Sequence, residues 1–515
     1  MEVTKERATE IFGGTESESC EFMDESGGSK LIPPDFILLQ RVMDHLSPEM
    51  KSVGSPVNRY LQNGGRFYVD LAHREYCTPE CRLEPSNDKN PQIPIEGSPA
   101  LYTLAGDIEM VDMARRAQVA GKIGPYAIYK RVLTGDDDKP GRYTGIGFHG
   151  NLDIRRREGG VQNNRKSRLL NSMHQATSSL YTGLGGVIKT REGDYIFVKH
   201  QKEPCLNEEY HDDTMTHRPV VNERDESLSD KRRIRIHMTS GDTNFSFWAM
   251  SMRFAIGALT LRMIDAGIPS PVTVPDGELM RLTRLASRDE TMLKVATLEK
   301  GGRPYRMTPH NVEEMKCGLI IDFLETHEAS ALEVWGRYQL EQVLSDLWLG
   351  SGILRNRIDW AAKLELLNQQ KLKNGIDYED WGNAKIRATD KMYDLLEKRM
   401  RAPDDPGAPL DTDVITGLGV KMQSTWFKEW MPSATAIQRA RFEPPSYGRA
   451  ALRGAYVEQH GRTPSEYKTL GRPKVTADWL GAQRSNQETI WPLFPGREVY
   501  PDDHDWRKDA GEFGN

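Results

Sequence analysis

The chain has 515 residues, of which 37% are hydrophobic and 28% are charged, and its formal net charge at pH 7 is −6. This length predicts a large domain with a smaller appendage, and no apolar run approaches the roughly 18 residues that a membrane-spanning helix needs. The negative net charge gives no overall field for nucleic acid, and five cysteines without a paired CxxC spacing argue against a zinc ribbon or a disulfide framework and predict reduced thiols.

The N-terminal segment has no apolar stretch before a small-residue cleavage site, so we expect a cytoplasmic protein that binds neither membrane nor nucleic acid. Residue periodicity then predicts, in chain order, a strand at 11–18, a helix at 36–46, a strand at 66–70, a helix at 107–119, a strand at 127–132 and a helix at 247–266 that stops at Gly267. The intervening segments at 21–34, 134–141 and 153–166 are polar or glycine-rich and predict a loop, a turn and a mobile loop.

The second half of the chain is mostly helical by periodicity, with helices predicted at 312–325, 329–349 and 359–373. Residues 401–412 are rich in proline, glycine and acids and predict a linker. We therefore expect an α+β fold, with a catalytic domain at 1–400 whose strands are backed by helices, a small C-terminal domain at 413–515, and a flexible tail from about residue 492.

Two predicted strands carry candidate catalytic groups at alternate positions. Tyr68 and Asp70 share one face of the strand at 66–70, and Glu75 follows shortly after; Glu16 and Glu18 share one face of the first strand. Paired carboxylates of this kind suit Mg²⁺, which binds a few carboxylates together with substrate phosphates. Solvated salt bridges at strand ends are the alternative.

Histidines and arginines further along the chain extend this set. His149 and His237 each end an alternating segment and are either ordinary core histidines or partners of the acidic groups in a mixed metal site. A basic run containing Arg232 and Arg233 precedes His237, and arginines of this kind suit phosphate recognition; a solvated hairpin is the alternative. Arg449 and Arg453 offer a second, weaker phosphate-binding possibility.

Six sequence blocks occur in an order that matches a known family: GTESE, NGGRFYVDLAHREYCTPEC, YTGLGGV, VVNERDES followed by RIRIHMTSGDTN, IDWAAKL and PPSYGRAALRG. The order resembles the family of prokaryotic ubiquitin-like protein (Pup) ligases and depupylases. The resemblance implies a glutamine-synthetase-like large domain that binds ATP and Mg²⁺ on a curved antiparallel sheet, and a small C-terminal domain. Its substrate would be a Pup-like acidic protein or another glutamate-bearing molecule, in a pathway that can lead to a proteasome.

The resemblance also implies roles for individual residues. Asp70 matches the catalytic aspartate of the family. The metal-site positions are matched by Glu16, Glu18, Tyr68, Glu75, His149 and His237. The nucleotide phosphates would be bound by Arg453, with Arg232, Arg233 and Arg449 as further candidates.

The direction of the reaction is less well marked. The spacing from Asp70 to His73 and the block IDWAAKL resemble the depupylase branch, so we predict hydrolysis of a Pup-type isopeptide first and ligation second. The family's block HENY is replaced by His149, Gly150, Asn151 and Leu152. This departure keeps two further alternatives open: an ATP-using enzyme that acts on another substrate, and a nucleotide-binding regulator without catalysis.

Overall fold

The computed structural model describes residues 11–24, 31–70, 73–83, 98–135, 143–155, 169–214, 216–223, 233–288, 294–400, 414–446 and 448–471, together with the backbone of 475–477, 481–484 and 489–492. Its strands are β1 Ile11–Glu18, β2 Cys20–Met23, β3 Ser52–Ser55, β4 Asn58–Leu61, β5 Arg66–Asp70, β6 His73–Cys77, β7 Cys81–Arg82, β8 Tyr126–Tyr129, β9 Leu133–Gly135, β10 Tyr143–Gly145, β11 Phe148–Arg155, β12 Gly186–Lys189, β13 Tyr195–Val198, β14 Glu208–His211, β15 Pro219–Asn222, β16 Arg233–Met238, β17 Ala296–Lys300, β18 Arg303–Met307, β19 Leu395–Arg399, β20 Val414–Thr416, β21 Val475–Ala477, β22 Gly481–Arg484 and β23 Thr489–Pro492.

The helices lie mainly in the second half of the chain, as predicted. They are α1 Phe36–Met43, α2 Pro99–Val119, α3 Leu169–Thr177, α4 Ser179–Thr182, α5 Phe247–Asp265, α6 Glu278–Ser287, α7 Pro309–Thr326, α8 Ala331–Leu347, α9 Ser351–Leu354, α10 Asp359–Asn374, α11 Ala384–Asp394, α12 Leu418–Gln423, α13 Ala434–Phe442, α14 Arg449–His460 and α15 Pro464–Leu470. None of the helices in the described part of the chain is long and apolar enough to cross a membrane.

An eight-stranded sheet organises the first half. Its order is β16-β11-β1-β6-β5-β4-β3, with β7 also paired to β1, and every pairing in it is antiparallel. A second sheet of four strands, β2-β8-β19-β20, continues beyond the end of β1. The predicted α+β class, with an antiparallel sheet backed by helices, is confirmed.

Helix α5 forms the centre of the main core. Every residue from Phe247 to Ile264 is buried, because α5 packs against α3, α7, α8 and the sheet on different sides. The Ser246 side chain caps its first turn by accepting a hydrogen bond from the Ala249 amide. Gly267, at φ +75°, follows its C-cap, as the sequence predicts.

Several boundaries differ from the prediction. Strand β2 occupies part of the expected loop at 21–34, because its side chains are buried against β8. Helix α2 begins eight residues earlier than expected, at Pro99, where Ser98 caps it. Strand β11 continues into the expected loop at 153–166 as far as Arg155, because β1 and β16 pair with it on both sides. Strand β19 lies in the helical half, where it pairs with β8.

All five cysteines are buried, and none of them forms a disulfide. The predicted linker at 401–412, most of the predicted mobile loop at 153–166 and the end of the predicted tail lie outside the described residues. The division into domains at 400 and 413 therefore stays a prediction.

Candidate active site

Strand register gathers the predicted acidic groups on one face of the large sheet, which we call the polar face. In β1, Glu16 lies opposite His149 of β11 on one side and Cys77 of β6 on the other, while Glu18 lies opposite Glu75. Directly opposed residues of antiparallel strands point to the same side of a sheet. These five residues, separated by up to 133 positions in sequence, therefore share one surface.

The same register extends the polar face in both directions. Tyr68 of β5 lies opposite Glu75, and Asp70 lies opposite His73. On the other side, His237 of β16 lies opposite Asn151 of β11. The opposite face of the sheet packs against α2 and α5, where Thr15, for example, hydrogen-bonds Thr103 at 2.9 Å between the two hydroxyl oxygens.

Glu16 is the centre of a first cluster. Nδ1 of His149 lies 3.2 Å from Glu16 Oε2, and Nε2 of His237 lies 3.3 Å from the same oxygen. Nη1 of Arg235 donates to Glu16 Oε1 at 3.2 Å. Burial alone favours the neutral acid, yet the hydrogen bonds to His149 and His237 and the charge of Arg235 hold the pKa of Glu16 well below its usual value.

His237 is buried and His149 is half-buried, and the surroundings of both favour the neutral imidazole. Burial lowers the pKa of His149 to about 3 and also lowers the pKa of His237. Their ring centroids lie 4.7 Å apart at 81°. Neutral imidazoles carry a lone pair for a cation. The buried Nε2 of His237 is directed at Glu16, and one ligand atom from each of Glu16, His149 and His237 lies within 4.8 Å of the others, so the cluster fits a metal ion.

A second cluster consists of Glu18, Asp70 and Glu75. One carboxylate oxygen from each lies within 4.8 Å of the others. Burial, followed by the negative charges of Glu16 and Glu18, raises the pKa of Glu75 well above its usual value. Burial and nearby negative groups also raise the pKa of Tyr68. Such crowding of carboxylates is relieved by a divalent cation, so this cluster fits Mg²⁺ as well.

The two clusters line one cavity of about 370 Å³. Its other walls supply positive charge from Arg66, Lys202, Arg218 and Arg235. Burial lowers the pKa of Lys202 to about 8, although the charge of Glu18 opposes this shift. Nζ of Lys202 donates to the Thr239 carbonyl at 2.6 Å. Acidic and basic groups around one cavity suit a metal ion together with a charged substrate.

A smaller cavity of about 60 Å³ adjoins the first and shares Glu16, Cys77 and Arg235 with it. Arg449, at the start of α14, lines this smaller cavity. Arg453 lines neither cavity: it is 1% exposed, and its guanidinium donates to the Gly64 carbonyl at 2.9 Å and to Glu80. Both predicted C-terminal arginines pair with Glu80, but of the two only Arg449 lines the smaller cavity.

The structure thus brings together Asp70 and all six predicted metal-site residues. Arg232 and the side chain of Arg233 lie outside the described residues. The sequence patterns did not identify Arg235 as a site residue. Its position two residues before His237 places both on the same face of β16. Lys202 lies between β13 and β14, and periodicity gives no signal for it.

Gly150, which stands where the family's HENY block has a glutamate, lies away from the cavity. Gly150 precedes Asn151 and follows His149, so it faces the helical side of the sheet. A Cβ there would lie 2.8 Å from Met238 Cε and 3.6 Å from Arg253 Cδ. Met238 and Arg253 occupy the space that a larger side chain would need, and the glutamate replaced here is not a missing wall of the cavity.

Comparison with known proteins gives a consistent result. The sequence model of the Pup-ligase protein family matches residues 35–480. The Pup–protein ligase of Geodermatophilus obscurus is 24% identical over 476 residues, covering 89% of this chain and 90% of the relative. The Pup–protein ligase of Jonesia denitrificans is 25% identical over 468 residues, covering 88% and 90%.

Two solved structures share the fold. The ligase PafA in its complex with Pup superposes with a TM-score of 0.70 at 20% identity, covering 98% of this chain and 91% of that one. PafA in complex with ADP gives a TM-score of 0.63 at 20% identity, covering 93% of each. These relatives bear the name of the ligase, so they support ligation over the depupylase reading that we placed first. The match over most of its length shows that this chain belongs to the Pup-ligase protein family and is an ATP-dependent enzyme of it.

Proposed function

We propose that this enzyme is a Pup-type ligase that uses ATP and Mg²⁺ to join a glutamate side chain of a small acidic protein to a lysine amine. The observation that carries the proposal is the polar face, where two clusters of metal-ligating side chains and four basic side chains border one cavity. The relatives that are named as ligases support the direction of the reaction.

Different residues would bind the metal ion and the phosphates in the proposed reaction. Glu16, Glu18 and Glu75, with Tyr68 and the two histidines, would hold Mg²⁺. The bound ion would neutralise charge on the phosphates during transfer. Arg235 and Arg449 border the smaller cavity and are suited to the phosphate oxygens, since guanidinium forks match them.

In the proposed first step the glutamate carboxylate attacks the terminal phosphorus of ATP, the bond to the ADP oxygen breaks, and an acyl phosphate forms. In the second step the lysine amine attacks the acyl carbon, phosphate leaves, and Asp70 accepts the proton from the amine. Asp70 is exposed at the end of β5, where an incoming protein can reach it. Lys202 and Arg218 would attract the acidic partner to the mouth of the cavity.

The reaction is tested by incubating the protein with ATP, Mg²⁺, a Pup protein ending in glutamate and a lysine-bearing target. Ligation predicts a covalent conjugate that forms only with ATP. A parallel incubation with a preformed Pup–lysine isopeptide tests the depupylase alternative, which predicts its cleavage. Cleavage without conjugate formation would reverse the proposed direction, and the absence of both reactions would contradict the proposed substrate.

A further inference from the structure

A second set of metal-ligating side chains lies at the rim of the large cavity, apart from the polar face. Glu208 and His211 are the first and last residues of β14, and His217 lies two residues before β15. One ligand atom from each of the three lies within 4.8 Å of the others. The sequence predicted no role for this group, which we call the rim cluster.

The rim cluster is compact but accessible. The imidazole rings of His211 and His217 stack with centroids 4.0 Å apart at 16°. Nδ1 of His217 lies 2.5 Å from Glu208 Oε1. The side chains are about one-third exposed, at 31%, 39% and 38% for His211, His217 and Glu208. Water can therefore complete the coordination of an ion.

Two groups contact the Nδ1 atom of His211. The Asp213 amide donates to this nitrogen at 2.8 Å, and an Asp212 carboxylate oxygen lies 3.2 Å from it. These contacts hold the His211 ring in one orientation.

The composition of the cluster selects the class of ion. Two imidazoles and one carboxylate are a typical ligand set for Zn²⁺. The polar face differs, because Glu18, Asp70 and Glu75 add carboxylate oxygens there, the ligands that Mg²⁺ prefers. We infer that Glu208, His211 and His217 form a binding site for a divalent ion of the zinc class. This inference does not depend on the proposed ligase activity.

The position of the site connects it with the large cavity. Thr214, Arg218 and Pro219 line that cavity, and Thr214 lies within the loop that the cluster closes. Arg218 follows His217 directly, and its Nη1 donates to the Gly145 carbonyl at 3.1 Å. An ion held between β14 and His217 would cross-link the two ends of this loop. It would thereby fix the wall that carries Arg218.

The test is a Zn²⁺ titration by calorimetry in the Glu16→Gln background, which weakens ion binding at the polar face. We expect one Zn²⁺ per chain, not displaced by excess Mg²⁺. Adding His217→Ala should weaken its affinity by at least about 100-fold, because the loss of an outer-shell partner alone costs 10–100-fold. Glu208→Gln should also weaken the Zn²⁺ affinity, and it preserves the shape of the side chain. His327→Ala, at the C-terminal end of α7, is the matched control and should leave it unchanged.

Hydrogen exchange gives an independent readout of the loop. Zn²⁺ should slow amide exchange of 212–218 in the Glu16→Gln protein but not in the protein that also carries His217→Ala. A parent that binds no Zn²⁺, or one whose Zn²⁺ affinity is unchanged by both His217→Ala and Glu208→Gln, would overturn the inference. Circular dichroism of each variant verifies that the fold is retained.

Discussion

Replacing Gly106 with alanine is expected to destabilise the protein, because the helix α2 contacts the sheet through this residue. An added Cβ would lie 2.0 to 2.7 Å from three ring atoms of Tyr76. That ring has little room to move: it is 1% exposed, packs 4.7 Å from the Phe67 ring, and accepts a hydrogen bond from Asn63 at 3.0 Å. The helix must therefore shift away from β6.

The magnitude follows from two opposing effects. Alanine in place of glycine inside a helix stabilises by up to about 1 kcal/mol. Overpacking by a methyl group costs about 1–3 kcal/mol and sometimes more, and this overlap is at the severe end. We expect a net loss of about 2 kcal/mol in the free energy of unfolding. Tyr76 lies between Glu75 and Cys77 on β6, so we also expect weaker nucleotide binding.

Gly318→Ala in helix α7 is the matched control. A Cβ at Gly318 meets nothing within 4 Å, so only the helix propensity changes and the protein should gain about 0.5–1 kcal/mol. The midpoints of urea unfolding should therefore move in opposite directions for the two variants. A neutral Gly106→Ala, or a shift of the same sign in both, would refute the packing described for α2 and β6.

Three further predictions concern the charged groups of the site. Burial lowers the folded-state pKa of Lys202 from 10.5 to about 8, so the protonated amine costs stability below pH 8 and this cost disappears as the pH rises to 10.5. Lys202→Met should therefore be more stable than the wild type by roughly 3 kcal/mol below pH 8, since one pKa unit corresponds to about 1.36 kcal/mol. The difference should disappear by pH 10.5. Denaturant unfolding of both proteins in the presence of a chelator, at several pH values, tests this. Arg453→Met should lower the unfolding free energy by about 3 kcal/mol, because it removes a buried ion pair with Glu80 together with the bonds to the Gly64 carbonyl. Arg449→Met removes the other ion pair with Glu80 and should in addition weaken ATP binding in calorimetry; unchanged ATP binding would contradict its placement at the smaller cavity. Glu16→Gln should weaken Mg²⁺-dependent nucleotide binding by at least about 10-fold, since it removes a proposed ligand, and unchanged binding would place the metal elsewhere.

Local pattern was sufficient for the strands that carry the acidic groups. Alternation over β1 and β5 gave their bounds as the structure has them, and it placed Glu16 with Glu18 and Tyr68 with Asp70 on common faces. Helix α5 was also predictable from the sequence, because its apolar periodicity ends at a glycine with positive φ. These features depend on neighbours in sequence.

The remaining features depend on pairing between distant segments. The register of β1 with β11 brings His149 opposite Glu16, and single-chain periodicity cannot supply an interstrand register. The same holds for β14 and β15, whose parallel pairing helps to close the rim cluster. From sequence alone the replacement at Gly150 left open another substrate or a regulator without catalysis. Only the pairing of β11 with β1 shows that a side chain at this position would lie on the helical face of the sheet.

The most direct test of the account is the effect of Asp70→Asn on binding and turnover measured separately. Asp70 is exposed, so the substitution should preserve the fold and ATP binding while conjugate formation falls by at least about 100-fold, within the usual contribution of a general base. Asp322→Asn, on the exposed surface of α7, is the matched control and should retain wild-type turnover. Conjugate formation at the wild-type rate in Asp70→Asn would contradict the central claim that the polar face is the catalytic site.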